Sequence, residues 1–537
     1  MSTTPRYEEK ILLLDNVDPI CAEVFARRGY KADQPGKLSE EELLRVLPEY
    51  AGMVVRSATT VTAEVLEHAP NMRVVGRAGV GVDNIDLKAA TSKGVLVMNT
   101  PDGNTISTAE HTCGLILALA RNIPEAVSRV KGGGWDRKAF MGSEVYGKTL
   151  GIVGLGKIGT EVALRMNAFG MKVVGYDPFA TQEHAERNGI RLAELDEVLG
   201  EADFLTVHTP LTDKTRGLIS LANAGKLKKG VRLVNCARGG IIAEADIPEL
   251  LDSGVVGGVA LDVYSIEPPT PELYAILAHP AVVSTPHLGA STEEAQEKVA
   301  EQIADQMADA LQEKGYKGSV NGKSIALLAN EEVHPYLELA ERLGLLSGQV
   351  MPQHTTEVTF EYQGECARFS DLLTDGILKG LLSSYISGSV NLINARTYAN
   401  ERGIHIRETT SNQPGMYRDM IRVVLGKDGA YTSIAATIFG PGDYRVVQID
   451  KFRIELKMEG DMLIYQNKDV PGMLASVAGA LAEQDVNIGA LSLGRAVKGE
   501  DAVTVLQIDK KLSEQELERI RQLKGVNEVK YFSMGID

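Results

Sequence analysis

The sequence contains few cysteines, and they are scattered. Four occur among 537 residues, and none stands in a CxxC spacing, which argues against a zinc site and against a disulfide framework. We therefore expect no metal and a reducing, cytoplasmic location. The four are Cys21, Cys113, Cys236 and Cys366.

Long apolar runs are also missing. The N-terminus has only a short one, from Ile11 to Leu14, so it lacks the apolar stretch of a signal peptide. No segment reaches the roughly 18 apolar residues that a membrane-spanning helix requires. The sequence therefore predicts a protein that is neither secreted nor inserted in a membrane.

Positive charge is in the minority. Lysine and arginine number 56 against 72 acidic residues, which gives a formal net charge of −16. Such a surface repels polyanions, so nucleic acid is not an expected partner. Any anionic substrate must instead meet a local cluster of arginines.

The first part of the chain has a repeated α/β pattern. Short apolar runs alternate with helix-like stretches over residues 11–100 and again over 149–264, which predicts two doubly wound parallel sheets. A helix-like stretch after residue 287 extends to about residue 315 and is expected to return to the first sheet. We therefore assign residues 1–102 and 291–317 to one domain, and 103–290 to a second domain inserted in it.

The C-terminal part of the chain has a different pattern. Residues 318–457 mix strand-like and helix-like segments without a readable catalytic motif, and we expect a separate α+β domain there. Residues 461–537 follow the order strand, helix, strand, strand, helix, strand, which is the ferredoxin-like order.

A glycine-rich turn suggests a dinucleotide site. Gly154, Gly156 and Gly159 follow an apolar strand and open a helix, where glycines permit a tight turn and close approach to a pyrophosphate. Alone, this motif also fits a plain strand-to-helix turn. Asp177 ends the next strand, 18 residues later, where a carboxylate can bind the ribose hydroxyls, and this favours NAD over NADP.

Three polar residues follow apolar strands and are candidates for catalysis. His287 has an ordinary pKa near neutrality and suits a general base, and Glu267 could orient it. Arg238 could pair with a substrate carboxylate through a planar contact that lysine cannot reproduce. Spacing alone does not separate His287 from the other candidate histidines, which are His111, His208 and His279.

Several motifs resemble those of the D-isomer-specific 2-hydroxyacid dehydrogenases. They are GKTLGIVGLGKIG, NCARGGII, ALDVYSIEPP and TPHLGAST. VVRSATTVT, VVGRAGVGVDNID and NTISTAEHT narrow the resemblance to the branch that oxidises 3-phosphoglycerate to 3-phosphohydroxypyruvate, at the start of serine biosynthesis. The resemblance implies a Rossmann nucleotide-binding domain inserted in a flavodoxin-like substrate domain, and it gives Arg238, Glu267 and His287 the roles described above.

The same resemblance implies further binding residues. Around NAD it places Lys157, Ile158, Asp177, Thr209, Cys236, Ala237, Asp262, Gly289 and Ala290, with Cys236 lining the site and not acting as a nucleophile. For the substrate it implies Arg56, Ser57, Arg77, Gly79 and Asn104. Arg137 is a further candidate phosphate contact that reaches across subunits; the alternative is a solvated loop charge.

The C-terminal segment resembles an ACT domain, an amino-acid-sensing module, and the preceding segment resembles the allosteric substrate-binding-like domain of the long enzyme form. This implies L-serine as an effector, held at an interface by Asn467, Asp469 and Asn487, and a homo-oligomer, either dimer or tetramer. Position 467 departs from the pattern, because inhibited relatives carry an aromatic or imidazole side chain there. The alternative is an ACT domain that only assembles subunits through its sheet edge.

Three other functions remain open from the sequence. A glyoxylate or hydroxypyruvate reductase would share the catalytic residues, although Arg56 and the long C-terminal half argue against it. An NAD-sensing corepressor is disfavoured by the ACT-like segment. A catalytically silent amino-acid sensor would not need Arg238, Glu267 and His287 together.

Overall fold

The computed structural model describes residues 8–351, 355–386, 390–411, 413, 415–427 and 430–534, and they form four sheets covered by helices. Among these residues no helix is long and apolar enough to cross a membrane. Short 3-10 turns lie at Leu47–Glu49, Leu221–Lys226, Glu244–Asp246, Lys323–Ala329, Glu331–Val333 and Glu365–Phe369.

The first sheet has five parallel strands in the order β2-β1-β3-β4-β5. This is the flavodoxin-like order, which confirms the expected fold class. Strand β3 is buried along its whole length because helices cover both faces of the sheet. The elements are β1 (Lys10–Leu13), α1 (Ile20–Arg27), β2 (Lys31–Asp33), α2 (Glu40–Val46), β3 (Tyr50–Val55), α3 (Ala63–Glu67), β4 (Val74–Arg77), α4 (Leu87–Lys93) and β5 (Leu96–Asn99).

The second sheet has seven parallel strands in the order β12-β11-β10-β9-β6-β7-β8. This is the Rossmann order with one strand added at an edge. The preceding long helix α5 packs its apolar side on this sheet. The elements are α5 (Thr105–Arg121), α6 (Ile123–Lys131), β6 (Thr149–Val153), α7 (Lys157–Ala168), β7 (Lys172–Tyr176), α8 (Gln182–Arg187), β8 (Arg191–Leu192), α9 (Leu195–Glu201), β9 (Phe204–Val207), β10 (Val231–Asn235), α10 (Ile247–Asp252), β11 (Val256–Leu261), α11 (Pro271–Leu277) and β12 (Val282–Ser284).

Helix α12 (Glu293–Leu311) packs on the first sheet, although it follows the second in sequence. Ile303 and Met307 are fully buried there. They lie directly over a glycine of the sheet, because a Cβ at Gly76 would come within 2.2 Å of Met307 Sδ and 2.7 Å of Ile303 Cγ1. The chain therefore crosses between the first two sheets twice, once after β5 and once after β12.

The third sheet has six strands in the order β14-β13-β15-β16-β17-β18, and only β13 and β14 are parallel. Two helices, α13 and α14, contact each other closely where Gly344 and Gly348 face the carbonyls of Ile377 and Leu381. The elements are α13 (His334–Val350), β13 (Glu357–Gln363), α14 (Ser370–Ser383), α15 (Ala395–Glu401), β14 (His405–Ser411), β15 (Met420–Lys427), β16 (Ala430–Gly440), β17 (Asp443–Ile449) and β18 (Phe452–Lys457).

The fourth sheet has four antiparallel strands in the order β20-β21-β19-β22 with two helices, which is the ferredoxin-like arrangement expected from the sequence. The elements are β19 (Asp461–Lys468), α16 (Met473–Ala482), β20 (Ile488–Arg495), β21 (Asp501–Ile508), α17 (Glu514–Arg521) and β22 (Val526–Ser533).

Candidate active site

A cavity of about 510 Å³ lies between the first two sheets, at the carboxyl ends of their strands. Functional side chains collect at this edge of parallel α/β sheets, because the loops that follow the strands meet there. The first sheet contributes loops after β3 and β4, and the second contributes loops after β11 and β12. Seven predicted site residues line the cavity: Arg56, Ser57, Arg77, Gly79, Glu267, His287 and Ala290.

His287 and Glu267 form a hydrogen-bonded pair in this cavity. His287 Nδ1 lies 2.7 Å from Glu267 Oε2, and the backbone N–H of Tyr264 donates to Glu267 Oε1 at 3.0 Å. Burial alone would raise the pKa of Glu267, but these two hydrogen bonds outweigh it and lower the pKa below its usual value. Glu267 is therefore a carboxylate that fixes the orientation of the imidazole ring through Nδ1. The other ring nitrogen, Nε2, has no hydrogen-bond partner among the described residues.

Asp262 determines the shape of the turn that carries His287. Its side chain is fully buried, and it accepts hydrogen bonds from the Leu288 and Gly289 backbone at 2.7 and 2.8 Å and from Thr285 Oγ1 at 2.6 Å. Burial would raise the pKa of Asp262, but the hydrogen bonds to its oxygens hold the pKa below its usual value. These contacts hold His287 at φ +55°, a conformation that is uncommon for a side chain other than glycine.

Arg56 and Arg77 line the cavity beside this pair, and Arg238, which is not part of the cavity lining, adds a third positive charge near Arg77. Burial and the nearby cations Arg238 and Arg56 lower the pKa of Arg77 to about 10, so it stays charged at neutral pH. Its buried Nε has no hydrogen-bond partner within the part of the chain that the structure describes. Gly79, at φ +151°, allows the Arg77 guanidinium to lie against its Cα, where a Cβ would come within 1.5 Å of Nη1. The cluster is therefore suited to a multiply charged anion.

The loop that carries Arg56 is fixed by two residues that the sequence analysis missed. Asp15 Oδ2 accepts from the backbone N–H groups of Arg56 at 2.8 Å and Thr59 at 3.0 Å. Asn84 Nδ2 donates to the carbonyls of the same two residues at 2.8 and 2.6 Å. The sequence offers only a weak signal for these two residues. Asp15 directly follows the apolar run ILLL, and Asn84 comes after the VGV segment.

Arg238 lies on a loop that is tied to the Glu267 loop. Asn235 shapes it, since its Oδ1 accepts from Ala237 N and its Nδ2 donates to Arg238 O. Gly239 packs against the backbone of Tyr264, where a Cβ would come within 1.9 Å of the carbonyl carbon. The loops after β10 and β11 therefore hold each other in place.

The glycine-rich turn has the geometry that a dinucleotide requires. A Cβ at Gly154, which has φ +98°, would come within 2.5 Å of His208 O, and one at Gly159 would come within 2.1 Å of Gly154 O. Gly156 faces open space and directly precedes α7, whose N-terminal amides can bind a pyrophosphate. Asp177 accepts from the backbone of Leu155 and Phe179 at 2.9 and 2.8 Å, which holds its carboxylate beside the turn.

Three further predicted nucleotide residues, Lys157, Ile158 and Thr209, lie next to the same turn. Lys157, the first residue of α7, pairs with Asp102 of the crossing segment, and Ile158 packs on the core beneath. Thr209 has a buried Oγ1 without a hydrogen-bond partner among the described residues. Burial raises the pKa of Cys236 to about 12, so its side chain is a thiol at neutral pH.

Two predicted substrate residues lie outside the cavity lining. Asn104 precedes α5, and its buried Oδ1 has no hydrogen-bond partner in the described ranges. Arg137 is exposed on the loop between α6 and β6. In the single chain, therefore, Arg137 is not brought to the cavity.

The other candidate histidines have different surroundings. His111 Nε2 contacts Asp262 and Thr285 at 3.2 and 3.1 Å, behind the turn that carries His287. Loss of solvation lowers the pKa of His208 to about 4, and His279 Nδ1 accepts from the Ala281 backbone. Of the four histidines considered, His287 alone lines the cavity.

The predicted effector residues lie in two places on the fourth sheet. Asn467 pairs with Ala502 near one end of β21, and Asp469 follows it and accepts from Arg495 Nη1 at 3.0 Å. Asn487 precedes β20 and donates to Asp509, which follows the other end of β21. Within one chain, Asn487 is therefore at the opposite end of the sheet from the other two.

Three family models match consecutive parts of the chain. The NAD-binding domain of D-isomer-specific 2-hydroxyacid dehydrogenases matches residues 113–289. The intervening domain of D-3-phosphoglycerate dehydrogenase matches residues 332–450, and the ACT domain matches residues 462–525. These matches confirm the expected cofactor, NAD, and the presence of an ACT regulatory domain.

Relatives match over almost the whole length. D-3-phosphoglycerate dehydrogenase of Bacillus subtilis (strain 168) is 40% identical over 489 residues, 91% of this chain and 93% of that protein. The enzyme of the same name from Archaeoglobus fulgidus is 38% identical over 528 residues, 98% of this chain and 100% of that protein. Among solved structures, D-lactate dehydrogenase from Aquifex aeolicus complexed with NAD and lactic acid is 26% identical, with a TM-score of 0.50, and covers 56% of this chain and 95% of its own. The chain therefore belongs to the D-3-phosphoglycerate dehydrogenase family of D-isomer-specific 2-hydroxyacid dehydrogenases.

Proposed function

We propose that the chain oxidises 3-phospho-D-glycerate to 3-phosphohydroxypyruvate with NAD, as the first step of L-serine biosynthesis in the cytoplasm. The observation that carries this proposal is the cavity in which Arg56 and Arg77 face the His287–Glu267 pair. A substrate with a carboxylate, a hydroxyl and a phosphate needs cations at both ends and a base between them. The names of the relatives support the same substrate.

His287 acts as the general base. Its Nε2 accepts the proton of the substrate hydroxyl while Glu267, at Nδ1, stabilises the imidazolium that forms. Arg238 binds the substrate carboxylate and thereby positions the adjacent carbon, which is the carbon that is oxidised. Arg77 and Arg56 bind anionic oxygens of the substrate. Bound NAD supplies the acceptor for the hydride that leaves the same carbon.

The domain boundaries and binding residues follow from this assignment. The substrate domain comprises residues 1–102 and 291–317, the NAD domain 103–290, the intervening domain 318–457 and the ACT domain 461–537. Ser57, Gly79 and Asn104 complete the substrate site. The NAD contacts come from Gly154, Gly156, Lys157, Ile158, Gly159, Asp177, Thr209, Cys236, Ala237, Asp262, Gly289 and Ala290.

The active form is a homo-oligomer, either a dimer or a tetramer, and α6 forms part of the contact between its subunits. This helix has no buried residue, and it exposes Ile123, Val127 and Val130 by 47%, 45% and 55%. Trp135, on the following loop, is 80% exposed. An apolar surface of this kind is typical of a contact with a second copy. Arg137 lies on the same loop, where it could reach a neighbouring subunit.

L-Serine is the effector we propose for the ACT domain. Asn467 has a buried Oδ1 without a partner within the described chain, and Asp469 follows it at the end of β19. Since Asn487 lies at the other end of the sheet, an effector site that uses all three residues requires ACT domains from two subunits.

The proposed function is tested by NADH formation with purified protein, NAD and 3-phosphoglycerate, with glycerate as the unphosphorylated control. We expect a large preference for the phosphorylated acid and inhibition by added serine. Comparable rates with both acids would indicate a general hydroxyacid reductase instead. Absence of turnover with either acid would favour a corepressor or a silent sensor.

A further inference from the structure

Arg238 is held by a loop of the other domain. Arg238 follows β10 of the second sheet, whereas Asp83 follows β4 of the first, and Arg238 Nε donates to Asp83 Oδ2 at 3.0 Å. Gly81 lies next to the same guanidinium, because a Cβ built on it would come within 2.2 Å of Arg238 Nη2. We call residues Gly81 to Asp83 the arginine-positioning loop.

Among the described residues, the hydrogen bonds of the Arg238 guanidinium involve Nε and Nη1 and none involves Nη2. Nε is occupied by Asp83, and Nη1 donates to its own neighbour, the Ala237 carbonyl, at 2.6 Å. The far edge of the guanidinium carries one N–H group from Nη1 and one from Nη2, and such an edge can form two parallel hydrogen bonds with a carboxylate. Asp83 therefore uses the Nε donor, which lies outside the far edge and is not needed by a substrate carboxylate bound there.

Asp83 also affects the charge of the site. Arg238 and Arg56 both lower the pKa of Arg77, whereas Asp83 and Asp15 oppose that effect. Asp83 has a largely exposed side chain, with 77% accessible, so its ion pair with Arg238 contributes little to folding. We therefore assign Asp83 a role in orienting Arg238, and not a role in stabilising the fold.

We propose that Asp83 is a positioning residue for catalysis, which acts by orienting the Arg238 guanidinium across the domain boundary, and that Gly81 provides the space for this orientation. This inference rests on the proposed function of Arg238 as the contact for the substrate carboxylate. Because the loop and Arg238 belong to different domains, the arginine is oriented only when the two domains face each other.

The first test compares substitutions in the positioning loop. We expect Asp83→Ala to lower kcat/KM for 3-phosphoglycerate by about tenfold, since a charge-assisted hydrogen bond is lost, while the dissociation constant for NADH stays within twofold. Asp83→Asn keeps an acceptor for Nε and is expected to retain most of the activity. Gly81→Ala is expected to reduce kcat/KM like Asp83→Ala, because its methyl group displaces Nη2. Asp213→Ala, at an exposed acid of the second domain, is the control for loss of one negative charge.

The second test is a double-mutant cycle with Arg238→Ala. If Asp83 acts through Arg238, Asp83→Ala has no further effect on kcat/KM in the Arg238→Ala background. Equal losses in both backgrounds, or wild-type activity of Asp83→Ala, would overturn the inference. The proposed substrate is tested independently of this inference. If the wild type oxidises glycerate or another 2-hydroxy acid faster than 3-phosphoglycerate, the substrate proposal is wrong, but the same cycle measured with that acid still decides the role of Asp83.

Discussion

At the scale of single residues, the proposed mechanism assigns the general-base role to His287. We expect His287→Ala to lower kcat by about 10²- to 10⁴-fold, the usual contribution of a positioned general base. The dissociation constant for NADH, measured by fluorescence, is expected to change little because the imidazole acts on the substrate. His279→Ala is the matched control, since His279 contacts only the local backbone in the described hydrogen bonds. Normal turnover of His287→Ala would remove His287 from the mechanism.

Asp262 gives a prediction that depends on pH. Asp262→Asn places an amide donor among the N–H groups of Leu288 and Gly289, so we expect a loss of about 2 to 4 kcal/mol in the free energy of unfolding at neutral pH.

The sign of the pH dependence follows from the lowered pKa of Asp262. A carboxyl group whose folded pKa lies below its unfolded value stabilises the protein above the unfolded value, and this stability is lost as the pH falls through the folded pKa. The difference between wild type and Asp262→Asn in urea unfolding is therefore expected to shrink below about pH 4. Asp213→Asn serves as the exposed control, and a difference that stays constant with pH would contradict the assignment.

The residue-level site could be predicted only in part from the sequence. Arg238, Glu267 and His287 were identified because each follows an apolar strand, and a motif accompanies each. Asp83 and Asp15 were missed because their partners are 155 and 44 residues away in sequence, and because a position after a short apolar run is only a weak local signal. Arg137 stays a prediction, since a single chain does not include the neighbouring subunit it would contact.

At the scale of elements, the packing of α12 on the first sheet depends on a small residue. Gly76→Ala would bring a methyl group into Met307 and Ile303, and we expect it to cost about 1 to 3 kcal/mol, the usual penalty for overpacking. Thermal or urea unfolding measures this loss. Gly114→Ala on α5 is the control, because its Cβ would meet open space and alanine favours a helix, so a small gain is expected. Equal stability of Gly76→Ala and wild type would show that the helix shifts freely.

The longer elements could be predicted from periodicity and the shortest could not. The strands β1, β3, β4 and β5 are four to six residues long and consist mostly of apolar residues. In contrast, β2 and β8 have three and two residues and lie at sheet edges, where half-exposed polar sequences leave no apolar signal. The six-stranded sheet was described only as α+β because its first strand, β13, pairs with β14 and β15 across long intervening segments, although β15 to β18 pair with their neighbours in sequence.

At the scale of the whole molecule, the exposed surface of α6 predicts self-association. We expect Val127→Lys to weaken the oligomer, because a charge replaces an apolar contact at the proposed interface. Sedimentation velocity would show a smaller species. Tyr431→Lys, on the exposed face of the third sheet, changes a similar exposed apolar residue elsewhere and is expected to leave the oligomer intact. An unchanged assembly of Val127→Lys would place the interface on another surface.

The two chain crossings between the first and second sheets restrict how the domains can move. One crossing joins β5 to α5 and carries Asn104, and the other joins β12 to α12 and carries His287. Two bodies joined at two points keep essentially one rotational degree of freedom, the swing about the line through both joints, as in hinge motion. Because His287 lies on one of these joints, it is displaced little by that swing, whereas Arg56 and Arg77 move toward or away from it. A rotation of this kind would leave His287 in place and would change its distance from the two arginines on the first sheet.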